Sequence, residues 1–262
     1  MNPFSWVGSN KHFIDERDVR RFNRVVVGRF GGNSSAGQTK NEDACIVWQN
    51  EDWEFTAVLD AHNSAESSEL VIRTLEVYLE DLVGILSING PPKFKQLEEK
   101  LLDIFQSEKF LNDCRHVAGE TACLIVARID NYIWWFSVGD CLLYVLHPDL
   151  IALNQYQLNQ RQFFEWIGQV NTFEQAVPCY TSGTRELRKG NNLILLMTDG
   201  LVECPGEPFS DPPNLIAVLN EKELDESISQ LLIEIERQKV RDSTTIIAWS
   251  VEVEKEGLIP SS

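Results

Sequence analysis

The order of apolar patterns along this chain predicts an α+β protein built on mostly antiparallel sheet. Three observations predict it. Residues 121–129, 132–138 and 142–147 form successive short strand patterns joined by Asp130-Asn131 and Gly139-Asp140, pairs that suit tight hairpin turns and exclude an all-parallel fold. Residues 64–115 instead repeat apolar side chains at helical spacing. Four further apolar runs, two before these segments and two after, begin or stop at an acid.

Taken in order, residues 1–22 are mixed and charged, with Trp6-Val7-Gly8 as an edge strand and no role for the rest. The start, Met1-Asn2-Pro3-Phe4, lacks the basic opening and apolar stretch of a signal peptide. A strand over 22–30, centred on Val25-Val26-Val27, leads into Gly31-Gly32-Asn33-Ser34-Ser35-Ala36-Gly37. These glycines lack P-loop spacing, so the segment reads as a flexible hairpin loop. Asn41-Glu42-Asp43 then precedes a strand over 44–48.

The run 55–59 is short, aromatic and β-branched in character, and it stops at Asp60-Ala61-His62. Asn63 or Ser64, with Glu66 beyond, suits a helix cap. Val71, Leu75, Tyr78, Leu79 and Leu82 then make one stripe over 64–86, ended by Asn89-Gly90-Pro91-Pro92. Phe94, Leu97, Leu101, Leu102 and Phe105 make a second over 93–115. Beyond the three central strands, the pattern gives a short helix over 162–168, a strand near Tyr180 and a strand over 192–199 running into Asp199-Gly200. Residues 201–214 read as an exposed loop, Asn220 and Glu223 as a capping pair, and Leu224, Ile228, Leu231, Leu232 and Ile235 as a helix stripe. Asp242 opens a last strand over 243–251.

With 262 residues, 43% of them apolar, and no linker or internal repeat, the chain reads as a single domain over 1–262. A net charge of −17 argues against nucleic acid as a partner. No apolar run is long enough to span a bilayer. Six cysteines without a Cys-x-x-Cys pair read as reduced thiols, and a cytoplasmic location is expected.

One aspartate at a strand end is commonly a turn former. Four acids at four strand ends matter more if the ends converge, because two charges about 4 Å apart repel by roughly 4 kcal/mol at an effective dielectric near 20. Such a cluster must protonate, spread or bind cations, and hard oxygen donors suit Mg²⁺ or Mn²⁺. If the acids instead lie on different edges, they are turn formers in an unrelated α+β protein.

Asn41-Glu42-Asp43-Ala44, Asp60-Ala61-His62-Asn63, Ala118-Gly119-Glu120-Thr121-Ala122, Val138-Gly139-Asp140, Asp199-Gly200-Leu201 and Asp242-Ser243-Thr244-Thr245 occur in that order. Together they resemble the metal-dependent, type 2C protein serine/threonine phosphatases, over about residues 24–251. The resemblance implies a four-layer β-sandwich, two antiparallel sheets flanked by helices, with a two-ion Mn²⁺ or Mg²⁺ centre at one end. It implies Asp60 bridging both ions, the Ala61 carbonyl as a further ligand, Asp199 and Asp242 on one ion, and Glu42 and Asp43 at the centre directly or through water. A metal-bridged hydroxide would attack phosphorus, and His62 would protonate the leaving alcohol. The substrate would be a phosphoprotein or phosphopeptide.

Two departures stand out. Both glycines of the family's Asp-Gly-His-Gly run are replaced, by Ala61 and Asn63, which requires a negative φ at the first and tolerates a positive one at the second. The arginine that many members place before the Glu-Asp pair is also missing; Gln38 and Lys40 stand there instead, and Lys40 is the candidate phosphate binder, without a bidentate fork. Some members hold a third ion on an aspartate where this chain has His116, with Asp113 one turn earlier. These departures keep a second reading open, a catalytically impaired pseudophosphatase that binds phosphoproteins.

Overall fold

The computed structural model describes residues 3–88 and 90–257. Asn89, part of the helix-breaking run, and Met1-Asn2 of the N-terminal reading lie outside them. Strands β1 (Phe4–Val7), β2 (Arg17–Phe22), β3 (Val25–Phe30), β4 (Ala44–Gln49) and β5 (Trp53–His62) come first. Helices α1 (Glu66–Val77), α2 (Leu79–Leu86), α3 (Phe94–Phe105) and α4 (Glu108–Cys114) follow. Then come β6 (Glu120–Ile129), β7 (Tyr132–Val138), β8 (Leu142–Leu146), α5 (Pro148–Ala152), β9 (Ile167–Gly168), β10 (Thr181–Glu186) and β11 (Gly190–Met197). Helices α6 (Pro212–Glu221) and α7 (Leu224–Arg237) lead to β12 (Thr244–Val253).

Two antiparallel sheets result, ordered β1-β4-β5-β6-β7-β10, with β9 on β6, and β2-β3-β12-β11-β8. Strand alternation then builds four layers, because successive side chains point to opposite faces. In β4, Ala44, Ile46 and Trp48 pack with α1–α4, while Cys45 and Val47 pack against the opposite sheet. In β3, Val26 faces α7, and Val25 and Val27 face the sheet interface. Burying each large side chain of these layers contributes about 1.5–3 kcal/mol. The α+β sandwich flanked by helices is as expected.

Several local expectations are corrected. Gly139-Asp140 does not close a hairpin: β7 stays in the first sheet, whereas β8 pairs with β11 in the second. Nor do 31–37 form a hairpin or a loose loop, since β3 and β4 lie in different sheets. Gly32 sits at φ +87° with its α-carbon against the Arg241 carbonyl, and the Asn33 amide donates to Val240. The expected helix over 162–168 is absent; Ile167–Gly168 pairs with β6 instead.

Strand β2 went unassigned because Arg17, Asp18, Arg20 and Arg21 hide it, a common composition for an edge strand. The long stripes each split. Tyr78 separates α1 from α2, and Ser107 starts α4 by accepting the Phe110 amide at 3.2 Å. Between 201 and 214, Leu201, Cys204 and Phe209 are buried, and Pro212-Pro213 open α6, where a missing N–H costs nothing. Asn220 lies inside α6, so it makes no capping pair with Glu223, which itself shows no side-chain cap.

Candidate metal centre

Register brings the acids together. Ala44 pairs with Leu59, so the start of β4 and the end of β5 are neighbours in the first sheet. Met197 pairs with Ile246, so the end of β11 and the start of β12 are neighbours in the second. The acids therefore stand not along one sheet edge but where the ends of two facing sheets meet. Asp43 locks them: its Oδ2 accepts from Thr245 Oγ1 at 2.7 Å and Thr198 Oγ1 at 3.2 Å. Gly200 allows the closest approach, since a Cβ there would come within 2.1 Å of the Ser243 carbonyl oxygen.

Asp60 does not end its strand, which continues through Ala61 to His62. Asp43, Asp60 and Asp199 are buried. Burial, then the neighbouring acids, pushes the Asp60 carboxyl well above the usual carboxylate range. Burial does the same to Asp43, against the pull of the Thr245 hydrogen bond. Asp199 is pushed up to about 7 by burial and by Asp242 and Asp140. Asp242 is exposed as a residue, yet desolvation of its carboxyl raises it too, against the Ser243 amide and the nearby His62. One oxygen each of Asp60, Asp140 and Asp199 is buried without a hydrogen-bond partner. Carboxylates this crowded and unsatisfied require either protons or cations.

Among the described residues, no group of three or more His, Cys, Asp or Glu side chains is placed so that it could hold a metal ion as it stands. The donor chemistry nevertheless fits hard divalent ions: oxygen donors throughout, acids destabilising one another, and orphaned oxygens at Asp60 and Asp199.

The surrounding residues fall as follows. Ala61 is buried opposite Thr121, without positive φ, while Asn63 takes φ +72°. His62 is exposed and stacks edge-on to Trp166, ring centroids 4.9 Å apart. Lys40 Nζ donates to Glu42 Oε1 and to the Asn63 carbonyl, both at 2.7 Å, which ties the two motif loops together. His116 and Asp113 line a groove between α1 and α4; there Asp113 pairs with Lys109 and His116 Nδ1 lies 2.7 Å from the Asn112 carbonyl.

Sequence reasoning missed Arg161 and Glu203, which crowd Asp199, and the two threonines that hold Asp43. Thr198 adjoins Asp199, Thr245 lies three residues past Asp242, and Glu203 follows Asp199 by one turn; those spacings were the available signal. Arg161 stands just before the residues read as a helix over 162–168, and nothing in its neighbours pointed to the acids.

Known proteins bear on this arrangement. No curated protein sequence matches the chain. Among solved structures, a bacterial serine phosphatase bearing a point mutation superposes with TM-score 0.67 at 17% identity, covering 87% of this chain and 98% of that one. The S. agalactiae serine/threonine phosphatase gives TM-score 0.57 at 15% identity over 96% and 100% of the two chains. RsbX in complex with magnesium gives 0.59 at 15% over 90% and 100%. At such identities these similarities speak for the fold. The family model for protein phosphatase 2C matches residues 31–239. Through that match, over most of its length, the chain belongs to the protein phosphatase 2C family.

Proposed function

We propose that the chain is a metal-dependent phosphatase hydrolysing phosphoserine and phosphothreonine in proteins or peptides, or small phosphoesters, with 1–262 acting as one catalytic unit. The observation that carries this reading is the meeting of Asp43, Asp60 and Asp199 as buried, mutually destabilised acids. Asp60, the Ala61 carbonyl, Asp199 and Asp242 would hold two Mn²⁺ or Mg²⁺ ions, with Glu42 and Asp43 at the same centre. Two such ions, when bound, supply an activated water and charge neutralisation at phosphorus.

The chain's own residues do the rest. His62 stands at the exposed mouth near Asp242, as the group that donates a proton to the leaving alcohol. Lys40 brings a positive charge to the same mouth as a point donor for phosphate. Six free cysteines, five of them buried, support a reducing cytoplasmic setting. No helix among the described residues is long and apolar enough to cross a membrane.

The test is hydrolysis of p-nitrophenyl phosphate and of phosphoserine peptides with added Mn²⁺ or Mg²⁺. Asp60→Asn is expected to lower both rates by more than about a hundredfold, since even outer partners of metal ligands are worth 10–100-fold. His62→Gln is expected to slow the phosphopeptide more than p-nitrophenyl phosphate, whose leaving group needs no proton. Equal rates for the wild type and Asp60→Asn would end the reading. The second reading, an impaired phosphoprotein-binding module, is favoured by one observation: Lys40, in place of an arginine, is already engaged by Glu42 and Asn63. Saturable binding of phosphopeptide without turnover would select it.

A further inference from the structure

Arg161 reaches the acid cluster from the segment after α5. Its Nη2 lies 2.5 Å from Glu203 Oε1 and 3.4 Å from both Asp140 Oδ2 and Asp199 Oδ2. Its Nε donates to the Asp140 carbonyl at 3.1 Å, and the guanidinium sits 4.7 Å from the Phe163 ring centroid. The next residue is fixed as well, the Gln162 amide donating to the Gly139 carbonyl at 2.9 Å. Backbone, stacking and three carboxylates thus hold one cation, only partly exposed, in one place. Asp199 is shared between two environments: Oδ2 faces Arg161, while Oδ1 is buried and has no hydrogen-bond partner.

We infer that Arg161 is a positioning residue, a resident cation that closes the Asp140–Asp199–Glu203 corner against divalent ions and turns the free oxygen of Asp199 toward Asp60. The inference rests on the proposed metal centre for its purpose, though not for its geometry. All three carboxylates reach the same Arg161 nitrogen, within 3.4 Å, so a divalent ion drawn to this corner would compete with the guanidinium directly. The acids so divide into a corner neutralised by the protein itself and a corner left for exchangeable ions. Asp140 and Glu203 are then not ligands in the wild-type chain.

The test is Mn²⁺ titration of the full chain by calorimetry, with Arg161→Ala, Arg161→Lys and the double variant Arg161→Ala/Glu203→Gln. The expected result is one additional ion per chain in Arg161→Ala relative to wild type, lost again in the double variant and absent in Arg161→Lys. In the absence of Mn²⁺, Arg161→Ala is expected to melt below Arg161→Lys, and Mn²⁺ to remove that difference. Equal ion counts in wild type and Arg161→Ala would overturn the inference, as would a gain in Arg161→Lys equal to that in Arg161→Ala. If Arg161→Ala does not fold, Arg161→Gln carries the same expectation with the stacked side chain kept. A wild type that binds no Mn²⁺ would instead defeat the proposed metal centre, while an ion gained only on losing Arg161 would still uphold the inference.

Discussion

At the start of β5, Glu54 has no exposed side-chain surface and is fully paired: Arg128 clamps both carboxylate oxygens at 2.5 and 2.6 Å, and Arg24 adds a third contact at 2.6 Å. Arg128 spends its remaining donors on the Asp52 and Asp130 carbonyls. Near the other end of the same strand, Asp60 is as deeply set but carries an orphaned oxygen among acids that raise one another. Strand, burial and charge are alike. Only the company differs, and it separates an acid that serves the fold from one held ready for something to bind.

Breaking the closed end has the largest effect expected. Arg128→Ala leaves the Glu54 charge buried with only the half-exposed Arg24 as partner, so stability falls by about 3–5 kcal/mol, measured by urea denaturation. The catalytic constants of the molecules that remain folded are expected to stay as in the wild type, since this pair lies at the far end of β5 from Asp60.

The open end should respond in the opposite sense. In divalent-free buffer at pH 8, Asp60→Asn replaces an acid whose ionised form its surroundings penalise, and the melting temperature is expected to rise. The same substitution abolishes the gain in melting temperature that Mn²⁺ gives the wild type. A fall in metal-free stability on Asp60→Asn would show the cluster to be satisfied after all.

Acidity sharpens the contrast. Asp199 titrates near 7 in the folded chain and near 3.8 when exposed, and Asp60 and Asp43 move in the same direction. Below about pH 4 the acids are protonated in both states and cost nothing. Between about 4 and 7 the unfolded chain ionises first, so metal-free stability falls as pH rises; the Asp199 contribution levels off above about 7, while Asp60 and Asp43 act in the same direction. Added Mn²⁺ should restore more stability at pH 8 than at pH 5, measured as the shift in melting temperature at each pH.

Most of the architecture was legible because the sandwich is written in period-two alternation and helix stripes, both local signals. The acids were legible because each sits beside a strong apolar run. What escaped depends on distance. The switch of β8 to the second sheet turns on which strand Leu142–Leu146 pairs with, which Gly139-Asp140 alone does not encode. Arg161 acquires its meaning only from Asp140, 21 residues away, and Asp199, 38 residues away. Between 153 and 180 the backbone is held mostly by isolated hydrogen bonds, such as Gln162 to Gly139 and Thr172 to Trp166, and by the two-residue strand β9, so the periodicity read there misled.

The smallest effect expected concerns the turn between Asp60 and α1. Asn63 holds φ +72° where family members carry glycine, and its carbonyl accepts Lys40. Asparagine tolerates that region, and glycine would add backbone entropy to the unfolded chain of about 0.5–1 kcal/mol, near the strain it relieves. Asn63→Gly should therefore leave the melting temperature almost unchanged, whereas Asn63→Val, β-branched at positive φ, should lose about 1–3 kcal/mol. Because the carbonyl that receives Lys40 belongs to this same turn, Asn63→Val should also raise KM for p-nitrophenyl phosphate more than it lowers kcat, while Asn63→Gly moves neither. An equal penalty from both substitutions would mean that the side chain of Asn63, rather than its backbone conformation, holds this end of β5.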